Sequence, residues 1–476
     1  MTLLLFAILL LLHIAFVCAS LSSLNGTGIP TVDVSDYPSC SNTRTLWDII
    51  WSCAATLFAC TWTSIHPNIP GMDEGKWTVL FRRLFFMAMA LTAPELMITW
   101  ATNQFLSARV TANAFNDVFG ARLHQIRGDH SDIRESITTL LNGIPTSDGR
   151  NSSLPSAPHA VGRDFRGWTV THGFFAWMGG FMLYFNDKPR ATLIPDELER
   201  FVREGSVDMP VIIEADIEDR SKGDGLSKSI AVLQLAWFVL QLVARHAQNL
   251  PITLLEIDTL AVAVLTCVAY AVWWKKPKDV GRPYAIHWQA IASPPSRLAY
   301  DKVNADFSLE GWRRYAFFLV YPWGSLMGTG VFISPRAVRE RRVPSLGGYD
   351  DHDRHDRNHI ITLLIGCFSG MVFGGIHCLG WNVLFQGHTE QILWRAASLM
   401  VASAPVFILL IFGCAILLEV TEGHWGENVA RFAAVIMVAI YVAARITFIV
   451  LLLLSFRSLP PGVYDTVAWT KFIPHL

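Results

Sequence analysis

The residue whose type and position most suggest chemistry is Arg445, a cation inside an apolar stretch. It lies in RFAAVIMVAIYVAARITFIVLLLLSF, with apolar residues for several helical turns on either side. A charge at membrane depth is costly, so Arg445 must face the bundle interior and find a partner. Glu95, Glu256 and Asp258 are the acidic candidates. Two roles stay open: contact with a substrate or ion path, or a structural bond to a carboxylate or to backbone carbonyls.

Glu95 is a second candidate because it follows a proline in VLFRRLFFMAMALTAPELMITWA. Pro94 has no N–H, so it cannot bond to the Ala90 carbonyl. A freed carbonyl beside a carboxylate is found in cation and substrate sites of broken membrane helices. It is also found in ordinary kinked helices.

A polar stripe follows one face of the predicted helix 230–247. Gln234, Gln241 and Arg245 continue the spacing set by Ser227 and end at Gln248, so they share one helical face. This face either lines a hydrophilic cavity or forms interhelical hydrogen bonds.

Three of the histidines in or beside apolar segments are candidates for a chemical role. His377 continues the ridge of Gly366, Gly370 and Gly374, which predicts a close helix–helix seam with His377 buried at its end. It is either hydrogen-bonded across helices or functional. In WTVTHGFFAWMGGF, Thr169 or a neighbouring carbonyl can satisfy His172, which is also a candidate site residue.

The third histidine, His66, stands in CTWTSIHPNIP. Pro67 disfavours the α conformation at the residue before it, so a helix should end near His66. An imidazole there suits the negative end of the helix dipole, and Asn68 can form an Asx-turn. We therefore interpret His66 as part of a helix terminus rather than as a working histidine.

These residues must be positioned by membrane helices. The chain has 476 residues, 52% hydrophobic and 16% charged, against about 25% charge in average soluble domains. The apolar residues fall in blocks of about 17–25, the length that crosses a bilayer. The predicted spans are 46–63, 80–101, 168–185, 230–247, 257–274, 314–334, 361–385, 397–420 and 430–456. The fold class is all-α, a polytopic bundle of seven to nine transmembrane helices, with 80–101 and 168–185 as the weakest spans.

The N-terminal block MTLLLFAILLLLHIAFVCAS predicts a signal peptide, 1–19, cleaved after Ala19. An uncleaved first membrane helix is the alternative. The other predicted regions are a lumenal or extracellular segment 20–45, the bundle 46–456, its polar loops 102–167, 186–229, 275–313 and 335–358, and a tail 457–476.

The orientation signals disagree. A cleaved signal places Asn25 outside, and counting two spans onward places Asn151 outside, so both are candidate N-glycosylation sites. The loop WWKKPKDVGRP then lies inside, as the positive-inside rule prefers. The same count places the arginine-rich loop 335–358 outside, against that rule.

Several classes of protein are disfavoured. The net charge of −1 argues against a nucleic-acid partner. No Walker A, G-x-S-x-G, HExxH or Rossmann motif occurs, no CxxC pair suggests zinc, and we expect no cofactor. HDRHD, at 352–356, is interpreted as a solvated loop, although EADIEDRSKGD, at 214–224, could hold a divalent ion at the membrane face.

Five stretches stand out together: SCAATLFACTWTSIHPNIP, WTVTHGFFAWMGGF, DRSKGDGLSK, LPITLLEIDTLAVAVLTCVAYAVWWKKPKDV and VAWTKFIPHL. They resemble a family of multi-pass membrane proteins of filamentous fungi for which we know of no assigned chemistry. The resemblance runs from about residue 40 to the C-terminus. It implies a fungal origin and a helical membrane fold, and it carries over no catalytic residue.

Two function classes follow. The favoured class is a transporter- or receptor-like protein that handles a small molecule in the bundle interior, supported by Arg445, the glutamine stripe and Pro94. The alternative is a membrane-embedded enzyme acting on a lipid or isoprenoid-like metabolite, supported by the histidines and EADIEDRSKGD. We expect the lipid bilayer as partner, a small-molecule or lipid ligand, and residence in the endoplasmic reticulum or plasma membrane. The oligomeric state stays open.

Overall fold

The computed structural model describes the chain from residue 43 to residue 468, with gaps. The described residues are 43–120, 167–221, 224–301, 322, 325–326, 333–349, 356–385, 387–422 and 425–468. The predicted signal peptide, Asn25, Asn151, the histidines of HDRHD and most of the predicted span 314–334 lie outside them.

The described part of the chain is mostly helical. Its helices are α1 (Leu46–Ser64), α2 (Lys76–Thr92), α3 (Pro94–Phe115), α4 (Val170–Trp177), α5 (Pro195–Arg203), α6 (Glu214–Asp219), α7 (Asp224–Ala247), α8 (Leu254–Val272), α9 (Pro335–Arg339), α10 (Asp356–His377), α11 (His388–Glu422) and α12 (Trp425–Ser455). Within the described residues, five helical segments are long and apolar enough to cross a membrane. They are Ser229–Ala247, Leu254–Val272, Ile360–Asn382, His388–Ile411 and Val435–Ser455.

The two ends of the bundle are defined by two contacts between the same two segments of the chain. At one end Lys276, just after α8, bonds to the carbonyl of His66, just after α1. At the other end Arg44, just before α1, pairs with Glu256 in the first turn of α8. Helices α1 and α8 are therefore parallel. We call the end with Lys276 the basic end and the other the opposite end.

The predicted span 80–101 is wrong as a single helix. The chain breaks at Ala93, and α2 and α3 meet at an angle of 116°. Arg83 of α2 bonds to the Trp62 carbonyl, and Gln104 of α3 bonds to Lys276, so both arms reach the basic end. Pro94 stands at the first position of α3, where its missing N–H costs nothing. We call this pair the re-entrant hairpin. It raises the count of apolar crossings to six only if it is taken as one span.

The predicted span 168–185 is also wrong, and the fold, although mostly helical as predicted, contains one small sheet that the all-α assignment did not include. The segment forms only the short helix α4, followed by strand β1 (Phe181–Phe185), which pairs antiparallel with β2 (Lys188–Thr192) and parallel with β3 (Tyr284–His287). Asn186 and Asp187 have φ of 49° and 58°, the left-handed values of a two-residue hairpin turn. The apolar residues of the segment 168–185 are buried in a small α/β domain at the basic end, which we call the head.

The described residues form two large cores and a smaller apolar cluster between α1, α7 and Val463. One fills the bundle around α3, α8 and α10. The other fills the head, where Phe115 of α3 stacks on Trp168 at a ring distance of 3.7 Å. Because α3 contributes to both cores, it fixes the head to the bundle.

The glycine ridge of α10 is a packing seam, as predicted. A Cβ on Gly374 would lie 2.3 Å from the backbone nitrogen of Ala402 in α11. A Cβ on Gly366 would lie 2.8 Å from Thr99 Oγ1 of α3. The ridge therefore sets how closely α10 approaches both neighbours.

The conflict between the orientation signals turns on the predicted span 314–334, the one predicted crossing between WWKKPKDVGRP and the loop 335–358, and most of that span lies outside the described residues. Asn68, beside Lys276, donates to the carbonyls of Pro344 and Gly347, so residues 335–349 lie at the same end as WWKKPKD. Both basic loops therefore share one end. The described residues that flank Asn151, Gly120 and Gly167, also belong to the head, so the span count that paired Asn151 with Asn25 does not hold.

Candidate functional site

The tip of the re-entrant hairpin carries a buried carboxylate. Glu95 in the first turn of α3 is 6% exposed, and its Oε1 accepts a hydrogen bond of 2.8 Å from the Tyr441 hydroxyl of α12. Its second oxygen, Oε2, is buried without a hydrogen-bond partner among the described residues. Such atoms are rare in folded proteins and usually mark a bound water, an ion or a working group.

Arg445 lies one turn along α12 from Tyr441, on the same helical face. Its Nη2 donates to the carbonyl of Thr92, the last residue of α2, which the helix break exposes. Its guanidinium carbon lies 3.7 Å from the centre of the Phe373 ring. Among the described residues no carboxylate lies within ion-pair distance of Arg445, so the carbonyl and the ring are its partners.

His377 continues this line of polar groups. Its ring lies 4.4 Å from that of Phe373, the ring that Arg445 covers, and stacks on Phe448 at 4.2 Å. Nδ1 is 2.8 Å from the Phe373 carbonyl and Nε2 is 3.2 Å from Asp258 Oδ1. Because Nδ1–H donates to the carbonyl, Nε2 and the Asp258 carboxyl must share a further proton to bond.

The structure thus brings together three of the predicted site residues, Glu95, Arg445 and His377. They form a polar line, deep in the bundle, from the hairpin tip to the first turns of α8. We call these three residues, with Tyr441 and Asp258, the tip site. It offers a carboxylate oxygen that can take a proton or cation, and a half-buried guanidinium whose remaining donors can bind an anion.

The glutamine stripe lies elsewhere. Gln234 donates to Thr56 Oγ1 of α1 at 3.1 Å. Arg245, 2% exposed, donates to the carbonyls of Pro251, Val463 and Asp465. The stripe thus bonds α7 to α1 and to the C-terminal residues, and Gln241 lies between these contacts on the same helix. These contacts correspond to the alternative in which the stripe forms interhelical hydrogen bonds. They give no support to the alternative in which it lines a hydrophilic cavity.

His172 is a capping residue of the head. Its Nδ1 accepts from the Thr169 backbone at 3.1 Å, and its Nε2 is 3.0 Å from the Ile212 carbonyl. Burial lowers the pKa of His172, opposed by the hydrogen bond to Ile212. A neutral ring that donates from Nε2 and accepts at Nδ1 satisfies both contacts.

His66 ends α1 as the sequence predicted. Its Nδ1 lies 2.8 Å from the Ser64 carbonyl. The neighbouring terminal carbonyls, of Trp62 and Thr63, accept from Arg83 and Lys278. Basic side chains therefore satisfy the carbonyls that a helix C-terminus leaves unpaired and match its negative dipole. Asn68 forms no Asx-turn in this arrangement, because its amide reaches across to residues 344–347.

Lys276 is the buried residue that the sequence analysis missed. It is 2% exposed, and its Nζ lies 2.6 Å from the His66 carbonyl, 2.9 Å from Gln104 Oε1 and 3.4 Å from Asn68 Oδ1. Burial lowers the pKa of Lys276 to about 7. The run WWKKPKD was the available signal, because a proline directly after the lysine pair predicts a turn that fixes their directions.

In the acidic segment 214–224, the first residue, Glu214, accepts two side-chain hydrogen bonds. Glu214 Oε1 accepts from Thr171 Oγ1 at 2.7 Å and from Lys275 Nζ at 3.0 Å. A cavity of about 310 Å³ opens beside this pair, lined among the described residues by Thr171, Ser221, Trp274 and Pro277, with Glu218 and the two lysines. Within the described ranges no three His, Cys, Asp or Glu side chains are placed to hold a metal ion.

Comparison with known proteins gives one finding. No curated protein and no solved structure matches the chain. A family model described as a family of unknown function (DUF8562) matches residues 12–293 and 308–476. The fungal origin implied by the resemblance stays a prediction. Since the match spans nearly the whole chain, the chain belongs to this family of unknown function.

Proposed function

We propose that the chain is a transporter- or receptor-like membrane protein that handles a small molecule at the tip site. The observation that carries the proposal is that Glu95, whose Oε2 is buried without a hydrogen-bond partner among the described residues, and Arg445 both lie at one helix break inside the bundle. Broken helices that place a carboxylate and free backbone groups deep in the membrane are the usual substrate and ion sites of transporters.

The chemistry of the site favours a molecule with an anionic group. Arg445 keeps guanidinium donors beyond the one used by Thr92, and a guanidinium binds carboxylate or phosphate through paired N–H groups. Glu95 of α3 accepts a hydrogen bond from Tyr441, which lies one turn along α12 from Arg445. The second oxygen of Glu95 can take up or release a proton or a cation when the molecule binds. Because Glu95 and Arg445 both respond to the bound molecule, binding of the molecule is coupled to binding of a proton or cation.

The membrane setting is part of the proposal. The proposed seven to nine transmembrane segments include α1, the re-entrant hairpin and the five apolar helices. The signal peptide directs the chain to the endoplasmic reticulum or plasma membrane. Helix α1 begins at the opposite end, which is then lumenal or extracellular together with Asn25, and the basic end is cytoplasmic.

The test is metabolite profiling of cells of the source organism that lack the gene, measured separately in cells and in medium. The strain is complemented with the wild-type chain, with Arg445→Ala, with Glu95→Gln, or with Arg457→Ala. Arg457 is an exposed arginine just beyond α12, so its substitution is a matched control for the loss of charge.

We expect at least one compound to shift between cells and medium in the deletion strain. Wild type and Arg457→Ala should restore its distribution, whereas Arg445→Ala and Glu95→Gln should not. If Arg445→Ala restores the distribution at equal protein level, the arginine is structural and the proposal fails. If a precursor accumulates in cells and its product disappears, the protein is an enzyme on that metabolite instead.

A further inference from the structure

A cluster of interlocked charges lies where α2 begins, at the basic end. Arg82 Nη1 donates to both oxygens of Glu74, at 2.7 and 2.9 Å. Arg342 Nε is 2.9 Å from Glu340 Oε2 and 3.9 Å from Glu74 Oε2. Arg336 Nε is 2.8 Å from Glu340 Oε1. We call these five residues the charge cluster.

The charge cluster has more positive than negative charge and is largely out of water. It combines three arginines with two carboxylates, and the side chains of Glu74, Arg82 and Arg342 are only 0%, 10% and 9% exposed. Arg82 Nη2 is buried without a hydrogen-bond partner among the described residues. A buried excess cation with a vacant donor calls for an anion, because burial without one is costly.

The cluster opens to the surface beside an exposed apolar stripe. Arg336, half exposed, donates through Nη2 to Thr78 Oγ1 at 2.8 Å, which places it against the first turns of α2. On that helix Trp77 is 75% exposed and Phe81 66%, and Leu84, Phe85 and Leu91 continue the same face. Arg339, one turn from Arg336, is exposed as well.

We propose that this surface binds an anionic phospholipid, with its phosphate on Arg336 and Arg339 and its acyl chains along the α2 stripe. The cluster supplies the charge complementarity, and the stripe distinguishes a lipid from free phosphate because it offers apolar surface directly beneath the basic groups. Basic residues at the membrane surface attract the anionic lipids of the cytoplasmic leaflet. The site is separate from the tip site and does not depend on its function.

The test compares binding of fluorescent phosphatidylserine and fluorescent phosphatidylcholine to the purified full chain in detergent–lipid micelles. We expect the wild type to prefer phosphatidylserine. Arg336→Gln and Arg339→Gln should each weaken that binding roughly fivefold, the effect typical of one basic side chain near an anionic membrane surface. Phosphatidylcholine binding should not change.

The matched control is the double variant Arg200→Gln/Arg203→Gln on α5, whose side chains are each 52% exposed and lie away from the cluster. This double variant should bind phosphatidylserine like wild type. If it lost as much affinity as Arg336→Gln and Arg339→Gln, the effect would come from net charge alone and the proposed site would be wrong. Arg336→Gln could disturb folding through Glu340, so Arg339→Gln, which lies outside the cluster, decides the matter if Arg336→Gln unfolds. Equal affinity for both lipids, or full competition by inorganic phosphate, overturns the proposal.

Discussion

At Lys276 the molecule buries an amine among neutral acceptors. Three oxygens from α1's terminus, Asn68 and α3 surround the Nζ, and the rings of Trp100 and Trp273 lie 5.5 and 5.2 Å from it. The carbonyl dipoles and ring faces partly replace the water that the ammonium loses. This one side chain therefore connects α1, α3, α8 and, through Asn68, residues 344–347.

The burial of Lys276 has a consequence for pH dependence. Burial lowers its pKa from 10.5 to about 7, so between those values the unfolded chain binds more protons than the folded one. The free energy of unfolding should therefore rise with pH through this window and reach its full value near pH 10.5. As the pH falls to about 7, the stability gained through deprotonated Lys276 should be lost, and below pH 7 it should be absent. We expect Lys276→Met to remove most of this rise in apparent unfolding temperature between pH 7 and 10. Lys188→Met, at the exposed first residue of β2, is the control and should leave the slope unchanged.

Individual polar residues were predictable where they interrupt apolar segments. Arg445, Glu95 and His377 stood out because a polar group in a membrane helix needs a partner. Their partners were not predictable: Tyr441, Asp258 and the Thr92 carbonyl are distant in sequence and are ordinary residue types. Lys276 was missed because it lies just after an apolar block, where lysines are expected to reach water.

At the scale of elements, length and hydropathy identified helices α1, α7, α8, α10, α11 and α12, although the predicted bounds differ from the observed ones by up to nine residues, at the start of α11. They failed at 80–101 and 168–185 for two reasons. Pro94 at the start of α3 divides an apolar block into two helices with different directions. Residues 168–185 are apolar because they fill the head's core, and hydropathy alone does not distinguish a buried strand from a membrane segment.

The glycine seam of α10 gives a prediction at this scale. A Cβ at Gly374 would meet the Ala402 backbone at 2.3 Å, whereas a Cβ at the next residue, Gly375, would meet nothing within 4 Å. Gly374→Ala should therefore destabilise the bundle by about 1–3 kcal/mol, through overpacking against backbone that cannot yield. Gly375→Ala should be neutral or slightly stabilising, since alanine favours a helix interior over glycine. The measurement is the melting temperature of the two variants in the same detergent. Equal melting temperatures would contradict the prediction that Gly374 lies at a packing seam.

At the scale of the whole molecule, the two ends have different roles. The opposite end is joined by short connections, and Arg44, Glu256 and Arg245 hold the start of α1, the start of α8 and the C-terminal residues together. The basic end carries the head, the re-entrant hairpin and both basic loops. Exposed tryptophans occur at both ends, Trp47 and Trp51 at the opposite end and Trp77 and Trp274 at the basic end, as in the aromatic belts of membrane proteins.

This arrangement predicts which residues share a side of the membrane. Single cysteines introduced at Asp187 of the head and Arg339 of the basic loop should react with an impermeant maleimide from one side of oriented vesicles. A cysteine at Arg457 should react from the other side. Labelling above the wild-type background is the readout. If position 187 labelled together with position 457 and position 339 labelled from the other side, the shared basic end would be wrong and the original count of spans would return.

The most direct test of the central claim is uptake by proteoliposomes that contain the purified chain. Vesicles with wild type, Glu95→Gln, Arg457→Ala or no protein are incubated with the total small-molecule extract of the source cells, washed and analysed by mass spectrometry. We predict that at least one anionic compound enters the wild-type and Arg457→Ala vesicles unchanged and is reduced at least tenfold, ~1.4 kcal/mol, in Glu95→Gln vesicles. Contents that do not differ between wild type and empty vesicles, or a compound that is chemically converted, would contradict the proposed function.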